Sequence, residues 1–218
     1  MLVYAHRGLH RDAPENSLAA IEAAAHAGFD GVEVDARRCL TGELVLVHDP
    51  EPNGTPVRHQ SFGRLRDSVP GLTTLRNAAI RCGELGLGLD VEVKEPGIAV
   101  ESICVVRHWV PRLHVTSFLE CALRDASFLL PRESLGRLLW PDGSARSGAE
   151  SLRFMATSFL SPAGLVCPPF EAWARMPLAF VPSRSVVWCP PAGMGGISRL
   201  RAAGVAMAIT DHAEHAGS

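Results

Sequence analysis

Lysine is almost missing from this sequence. Of its 21 basic residues, Lys94 alone is lysine and the others are arginine. Whatever bias produced that composition spared one lysine, inside the stretch Asp90-Val91-Glu92-Val93-Lys94. Alternation on a strand would aim Lys94 to the same side as Glu92. The plain alternative is a surviving surface lysine. A strong charge imbalance is also missing. The net charge of −2 gives no argument for nucleic acid or for an anionic membrane surface. No apolar run approaches membrane-spanning length, so no stable membrane insertion is expected. The six cysteines, at 39, 82, 104, 121, 167 and 189, include no closely spaced pair, which argues against a thiolate zinc motif. Most lie in apolar contexts, where free cysteine acts as a small hydrophobe. A reduced, cytoplasmic protein is the expectation. Strand-like sequence begins at Leu2 and leaves no room for a signal peptide.

With 218 residues, 47% apolar and 20% charged, the chain suits one globular domain over residues 1–218. No internal repeat is evident. The clearest element is Gly31-Val32-Glu33-Val34-Asp35, a strand that puts Glu33 and Asp35 on one face. Leu2-Val3-Tyr4-Ala5 reads as a buried strand ending at His6-Arg7-Gly8. Asn16 or Ser17 can cap a helix whose stripe is Leu18, Ile21 and Ala25, stopped near Gly28. A turn at 40–43 leads into a strand over 44–48, a short hairpin extension after the second strand. Residues 50–70 look like an irregular excursion. Beyond them, strands are expected at 87–93, 113–117, 135–139, 164–166, 185–188 and 205–209. Helices are expected at 72–85, 96–109, 119–129, 146–158 and 195–203.

That alternation implies parallel strands with helical crossovers, and about eight strands suit a small TIM (β/α)₈ barrel of the α/β class. An open doubly wound sheet is the alternative. Polar residues gather at the strands' C-terminal ends, where such barrels build their sites: His6, Glu33, Asp35, Glu92, Lys94, Ser117, Trp188 and Asp211.

Three converging carboxylates, Glu33, Asp35 and Glu92, need compensation. Two like charges about 4 Å apart cost on the order of 4 kcal/mol at an effective dielectric of 20. Arg7 and Lys94 offer two positive charges, and oxygen donors suit Mg²⁺ or Ca²⁺ over softer metals. Such acids can also be exposed, or paired with arginine. His6 and His48 each end an apolar strand and can exchange protons near neutral pH. The remaining histidines, His10 among them, read as structural. Arg7 can grip a phosphate bidentately. Trp188 can wall a pocket or simply pack. Gly193-Met194-Gly195-Gly196 precedes a helix, where a tight turn is the better reading than a phosphate cradle. Thr210-Asp211 reads as hydrogen bonding that closes the barrel.

Taken together, these pieces resemble the glycerophosphodiester phosphodiesterase family. The matching stretches are Ala5-His6-Arg7-Gly8, Pro14-Glu15-Asn16-Ser17, Gly31-Val32-Glu33-Val34-Asp35, Val47-His48-Asp49, Val91-Glu92-Val93-Lys94, Thr116-Ser117-Phe118, Val187-Trp188 and Ile209-Thr210-Asp211. The resemblance implies a TIM barrel that hydrolyses glycerophosphodiesters to glycerol 3-phosphate and an alcohol. It implies a divalent cation, Mg²⁺ or Ca²⁺ with Mn²⁺ possible, on Glu33, Asp35 and Glu92. His6 and His48 would be general acid and base, Arg7 and Lys94 would hold the phosphate, and Trp188 would flank the glycerol. Two stretches depart from the family's pattern, Pro50-Glu51-Pro52-Asn53 and Cys189-Pro190-Pro191, both where glycerol and alcohol would sit. Two other readings accompany this one. A phospholipase-type cleavage would release a cyclic phosphate, and a degenerate barrel would bind a phosphorylated metabolite without turnover.

Overall fold

The central strands are apolar on one face and acidic on the other, and their packing follows from that. The computed structural model describes residues 1–139, 161–175 and 182–217. Its strands are β1 (Leu2–His6), β2 (Gly31–Arg38), β3 (Leu44–Leu46), β4 (Gly88–Val93), β5 (Leu113–Ser117), β6 (Leu135–Leu138), β7 (Leu165–Cys167), β8 (Val186–Trp188) and β9 (Met207–Thr210). The helices are α1 (Leu18–Ala27), α2 (Phe62–Ser68), α3 (Leu75–Glu84), α4 (Ala99–Val106), α5 (Glu120–Ala126), α6 (Phe170–Arg175) and α7 (Met194–Ala202).

The parallel strands run in the order β7-β6-β5-β4-β2-β1-β9-β8. The two ends of that path meet through parallel bridges, Val166 to Ser185 and Pro169 to Trp188. They bring the sheet to near-closure as a barrel, which sets aside the open doubly wound sheet. β3 pairs antiparallel with β2, Ala36 opposite Leu46, so the hairpin extension forms as expected.

Val3, Ala5, Val32, Val34, Ala36, Leu89 and Val91 point outward into the main core, against Ile21, Ala24, Leu75, Ala78 and Ile103 of the helices. Burial on both faces is what βαβ crossovers impose on parallel strands. A second cluster, Tyr4, Leu138, Leu165, Cys167, Val186, Met207 and Ile209, joins strands on both sides of the seam. The ring of Tyr4 leaves no room beside it. A Cβ on Gly88 would stand 2.0 Å from the Tyr4 hydroxyl, and one on Gly31 would stand 2.5 Å from its ring. Those two glycines are therefore a packing requirement.

Register then stacks the polar side chains in layers. His6 lies level with Glu33, Glu33 with Asp90, and Asp35 with Glu92. Ser17, Ser61 and Thr74 cap α1, α2 and α3 by accepting from backbone N–H groups three residues on.

Several expected boundaries shift. The strand at 44–48 ends at Leu46, leaving His48 in the bend beyond it. The helices expected at 72–85, 96–109 and 119–129 contract to α3, α4 and α5. The excursion over 50–70 contains α2, and α6 follows β7 where no helix was expected. The expected helix at 146–158 lies outside the described residues.

Candidate active site

The mouth of the barrel gathers the acids first. Glu33, Asp35 and Glu92 are all buried, and their nearest carboxylate oxygens lie within 4.8 Å of one another. Their counter-charges come from two directions. Lys94 Nζ stands 2.6 Å from Glu92 Oε1 and 3.0 Å from Asp35 Oδ1. Arg7 Nε stands 3.2 Å from Asp35 Oδ2, while its terminal nitrogen holds Glu15 at 2.8 Å. Three central carboxylates against two cations leave one negative charge.

Asp35 is the best-held of the three. Asn16 Nδ2 donates to its Oδ2 at 2.9 Å, and the Asp35 backbone N–H donates to Asn16 Oδ1 at 3.0 Å. Burial works to raise the Asp35 carboxyl, but Lys94, Arg7 and the Asn16 hydrogen bond outweigh it and hold it below its ordinary value. Glu33 lacks such partners. Burial, then repulsion from Asp35 and Glu92, pushes it well above the usual carboxylate range. Burial also raises Glu92. Glu33 Oε2 accepts from the Arg7 backbone N–H at 3.1 Å, but its Oε1 is buried without a hydrogen bond. An orphaned carboxylate oxygen beside two others is the donor set a hard divalent cation would take. Below Glu92, Asp90 accepts from the Thr116 hydroxyl at 3.2 Å, and burial pushes its carboxyl up to about 7.

His6 sits at the tip of β1. Its Nδ1 lies 2.9 Å from Asp211 Oδ1, and its Nε2 lies 4.0 Å from Glu33 Oε2. The Asp211 carboxylate accepts the Nδ1–H, which leaves the Nε2 lone pair facing the acids. Asp211 thereby fixes the tautomer, a positioning role the barrel-closing reading of Thr210-Asp211 did not include.

His48 lines a cleft of roughly 240 Å³ with Arg37, Glu92, Lys94, Phe118 and Leu119. Burial holds its pKa below the ordinary histidine value. The His48 carbonyl accepts from Arg37 Nε at 3.2 Å and from Arg37 Nη2 at 2.9 Å. Arg37 is a functional-site residue beyond those the sequence singles out, and its spacing on β2 puts it on the face of Glu33 and Asp35. Trp188 is not among the residues around that cleft. Its indole N–H donates to the Cys167 carbonyl at 2.9 Å, tying β8 to β7 across the seam.

Arg7, Asn16 and Cys189 have φ of 54°, 57° and 52°, and among the described residues no other non-glycine has a positive φ. All three stand in the barrel mouth. Such backbone strain concentrates where a site needs side chains aimed in particular directions.

These features can be set beside known proteins. The family model described as the glycerophosphoryl diester phosphodiesterase family matches residues 6–81. A protein of Caldanaerobacter subterraneus subsp. tengcongensis named glycerophosphodiester phosphodiesterase is 28% identical over 183 residues, 72% of this chain and 74% of that one. The crystal structure of a glycerophosphodiester phosphodiesterase from Thermotoga maritima superposes with a TM-score of 0.77 at 22% identity, covering 98% of this chain and 96% of that one. An Oleispira antarctica phosphodiesterase, solved in complex with the product sn-glycerol-3-phosphate, superposes at 0.76 and 22% identity over 97% of this chain and 93% of that one.

Proposed function

We propose that this chain, which belongs to the glycerophosphodiester phosphodiesterase family, hydrolyses glycerophosphodiesters to glycerol 3-phosphate and an alcohol. The observation that carries this is the buried triad of Glu33, Asp35 and Glu92, with His6 at the end of β1 and His48 in the bend after β3. A divalent cation held by that triad would polarise the phosphoryl oxygens of the diester. Its hard oxygen donors favour Mg²⁺ or Ca²⁺, with Mn²⁺ a weaker candidate. With such a cation, the balance of Arg7, Lys94 and the three acids turns to one positive charge, matched to a singly charged phosphodiester. We take the whole chain as one domain, supported by a single sheet running from Leu2 to Thr210.

In this reading His48, kept neutral by burial, takes the proton of the attacking water. His6 returns a proton to the leaving alkoxide from Nε2, and Asp211 offsets the ring's charge in its protonated form. Arg7 and Lys94 face the phosphate while bridging the acids. Trp188 flanks the glycerol with its ring face, its N–H being committed to Cys167. Six free cysteines support a reducing, cytoplasmic setting.

The test is glycerol 3-phosphate release from glycerophosphocholine, glycerophosphoethanolamine and glycerophosphoglycerol. It is run in EDTA and again after adding back Mg²⁺, Ca²⁺ or Mn²⁺. The expected result is release that EDTA stops and a metal restores. Tight binding without release would make the chain a binding module. A cyclic phosphate seen by phosphorus NMR would make the attack intramolecular.

Asp211→Asn is expected to lower kcat by roughly 10–100-fold, the usual cost of losing the partner that orients a functional imidazole. KM should change little, because Asp211 touches His6 and not the phosphate ligands. The pH–rate profile should shift with kcat. An unchanged profile would reduce Asp211 to a structural residue.

A further inference from the structure

Beside the carboxylate triad lies a second group of potential ligands with a different chemistry. The ligand atoms of His6, Cys189 and Asp211 lie within 4.8 Å of one another. The spacing of cysteines along the chain hides this group, because its members come from the end of β1, from the residue after β8, and from the residue after β9. Cys189 is exposed, so an ion can reach it from solution. Its φ of 52° turns it back toward β9, where its N–H donates to the Ile209 carbonyl at 2.9 Å.

A fourth donor stands close. His10 Nδ1 lies 3.1 Å from the His6 carbonyl and 3.2 Å from the Gly8 carbonyl. Those acceptors keep the His10 proton on Nδ1 and leave a lone pair on Nε2. That lone pair faces Asp211 Oδ1 at 3.8 Å. Asp211 Oδ1 already accepts the His6 Nδ1–H, so His10 Nε2 adds a further donor atom for a cation beside it.

The geometry points to a binding site for a thiophilic divalent cation of the Zn²⁺ class, formed by His6, Cys189 and Asp211 with His10 as the fourth ligand, whose occupancy blocks the enzyme. Imidazole, thiolate and carboxylate together are zinc donors, with bonds of about 2.0–2.3 Å. Ligand atoms on such an ion stand at most about twice that bond length apart, so the side chains of His6, Cys189 and Asp211 need to close only slightly. The triad of oxygen donors instead selects hard cations, so the two sites divide the divalent ions between them. Binding releases the Cys189 thiol proton to solvent and shifts the single ring proton of neutral His6 from Nδ1 to Nε2, freeing Nδ1 for the ion. The imidazole then carries its only proton at Nε2. It can neither accept a second proton nor reach the imidazolium form, and proton transfer by His6 stops. The site's existence is independent of the proposed hydrolysis; its inhibitory effect rests on that reading.

The test uses the full chain in excess Mg²⁺, with Co²⁺ as a spectroscopic substitute for Zn²⁺. The wild-type protein should develop a sulfur-to-cobalt charge-transfer band, and Cys189→Ser should lack it. No band in the wild type, or an equal band in Cys189→Ser, overturns the site. In the second arm Zn²⁺ is added to turnover assays held in excess Mg²⁺. Each protein is compared with its own zinc-free rate. Zinc should lower the wild-type rate by roughly tenfold or more, and Cys189→Ser should lose most of that sensitivity, since a lost ligand or its support typically costs 10–100-fold in affinity. Equal inhibition of both proteins overturns the blocking role. Absence of zinc-free turnover would count against the proposed hydrolysis alone, because the cobalt arm still decides the site.

Discussion

His48→Ala lowers kcat by roughly 10²–10⁴-fold, the contribution of one positioned proton-transfer group, while the protein folds as before. The fold is spared for a specific reason. What ties the His48 loop to the barrel is its backbone carbonyl, which accepts two hydrogen bonds from Arg37, and alanine keeps that carbonyl. His6→Ala should lose a comparable factor. The double variant should lose much less than the product of the two, because groups that act as a unit are not additive. The measurements are kcat on metal-loaded protein and the urea midpoint of each variant. Wild-type turnover in either single variant would remove the histidines from the chemistry. A collapsed urea midpoint in His48→Ala would show that the ring, and not the carbonyl, holds the loop. The pH profile carries a further sign. Burial depresses the His48 pKa, so the base stays neutral through pH 7 and activity falls only as pH drops through that depressed value.

Lys94→Met is the second large effect, and it falls on stability. Lys94 pairs with both Asp35 and Glu92. Burial disfavours its charge, yet those two acids outweigh burial and keep its pKa raised. Removing one partner from a buried ion pair typically costs about 3–5 kcal/mol, a large share of the roughly 5–15 kcal/mol that holds a domain together. Glu92 would be left buried beside Asp35 and Glu33 with its ammonium gone. The expected outcome in EDTA is a marked fall in the urea midpoint. Mg²⁺ or Ca²⁺ should recover part of it, because an ion that binds the folded state stabilises it by mass action. Recovery of stability without recovery of activity would separate the electrostatic role of Lys94 from its role toward phosphate. An unchanged midpoint in EDTA would mean that Arg7 alone balances the acids.

Much of this site was legible because strands have a period of two. Glu33 with Asp35, and Glu92 with Lys94, are each two residues apart, so alternation alone put them on common faces. Parallel pairing of β2 with β4 then brought the faces together. The longer helix crossovers were legible from apolar stripes at helical spacing, such as Leu18, Ile21 and Ala25. What stayed hidden depends on contacts between distant segments. Asp211 meets His6 across 205 residues, and nothing near Asp211 in the sequence points to that partner over the adjacent His212. Asn16 was expected as one of two possible helix caps. Ser17 does the capping, and Asn16, left-handed and buried, grips Asp35 instead. α2 carries only seven residues, one of them Gly63. So short a segment lacks the repeated apolar stripe that reveals longer helices, and its Ser61 cap was the one available signal.

The scarcity of lysine has a practical side. Lys94 is the sole side-chain amine in these 218 residues, and it stays protonated between two carboxylates. Acylating reagents need a neutral amine, so activated esters should pass it by and react at the terminal α-amino group. A dye or solid support coupled through amines would then attach at a single point, leaving the barrel mouth open to its substrate.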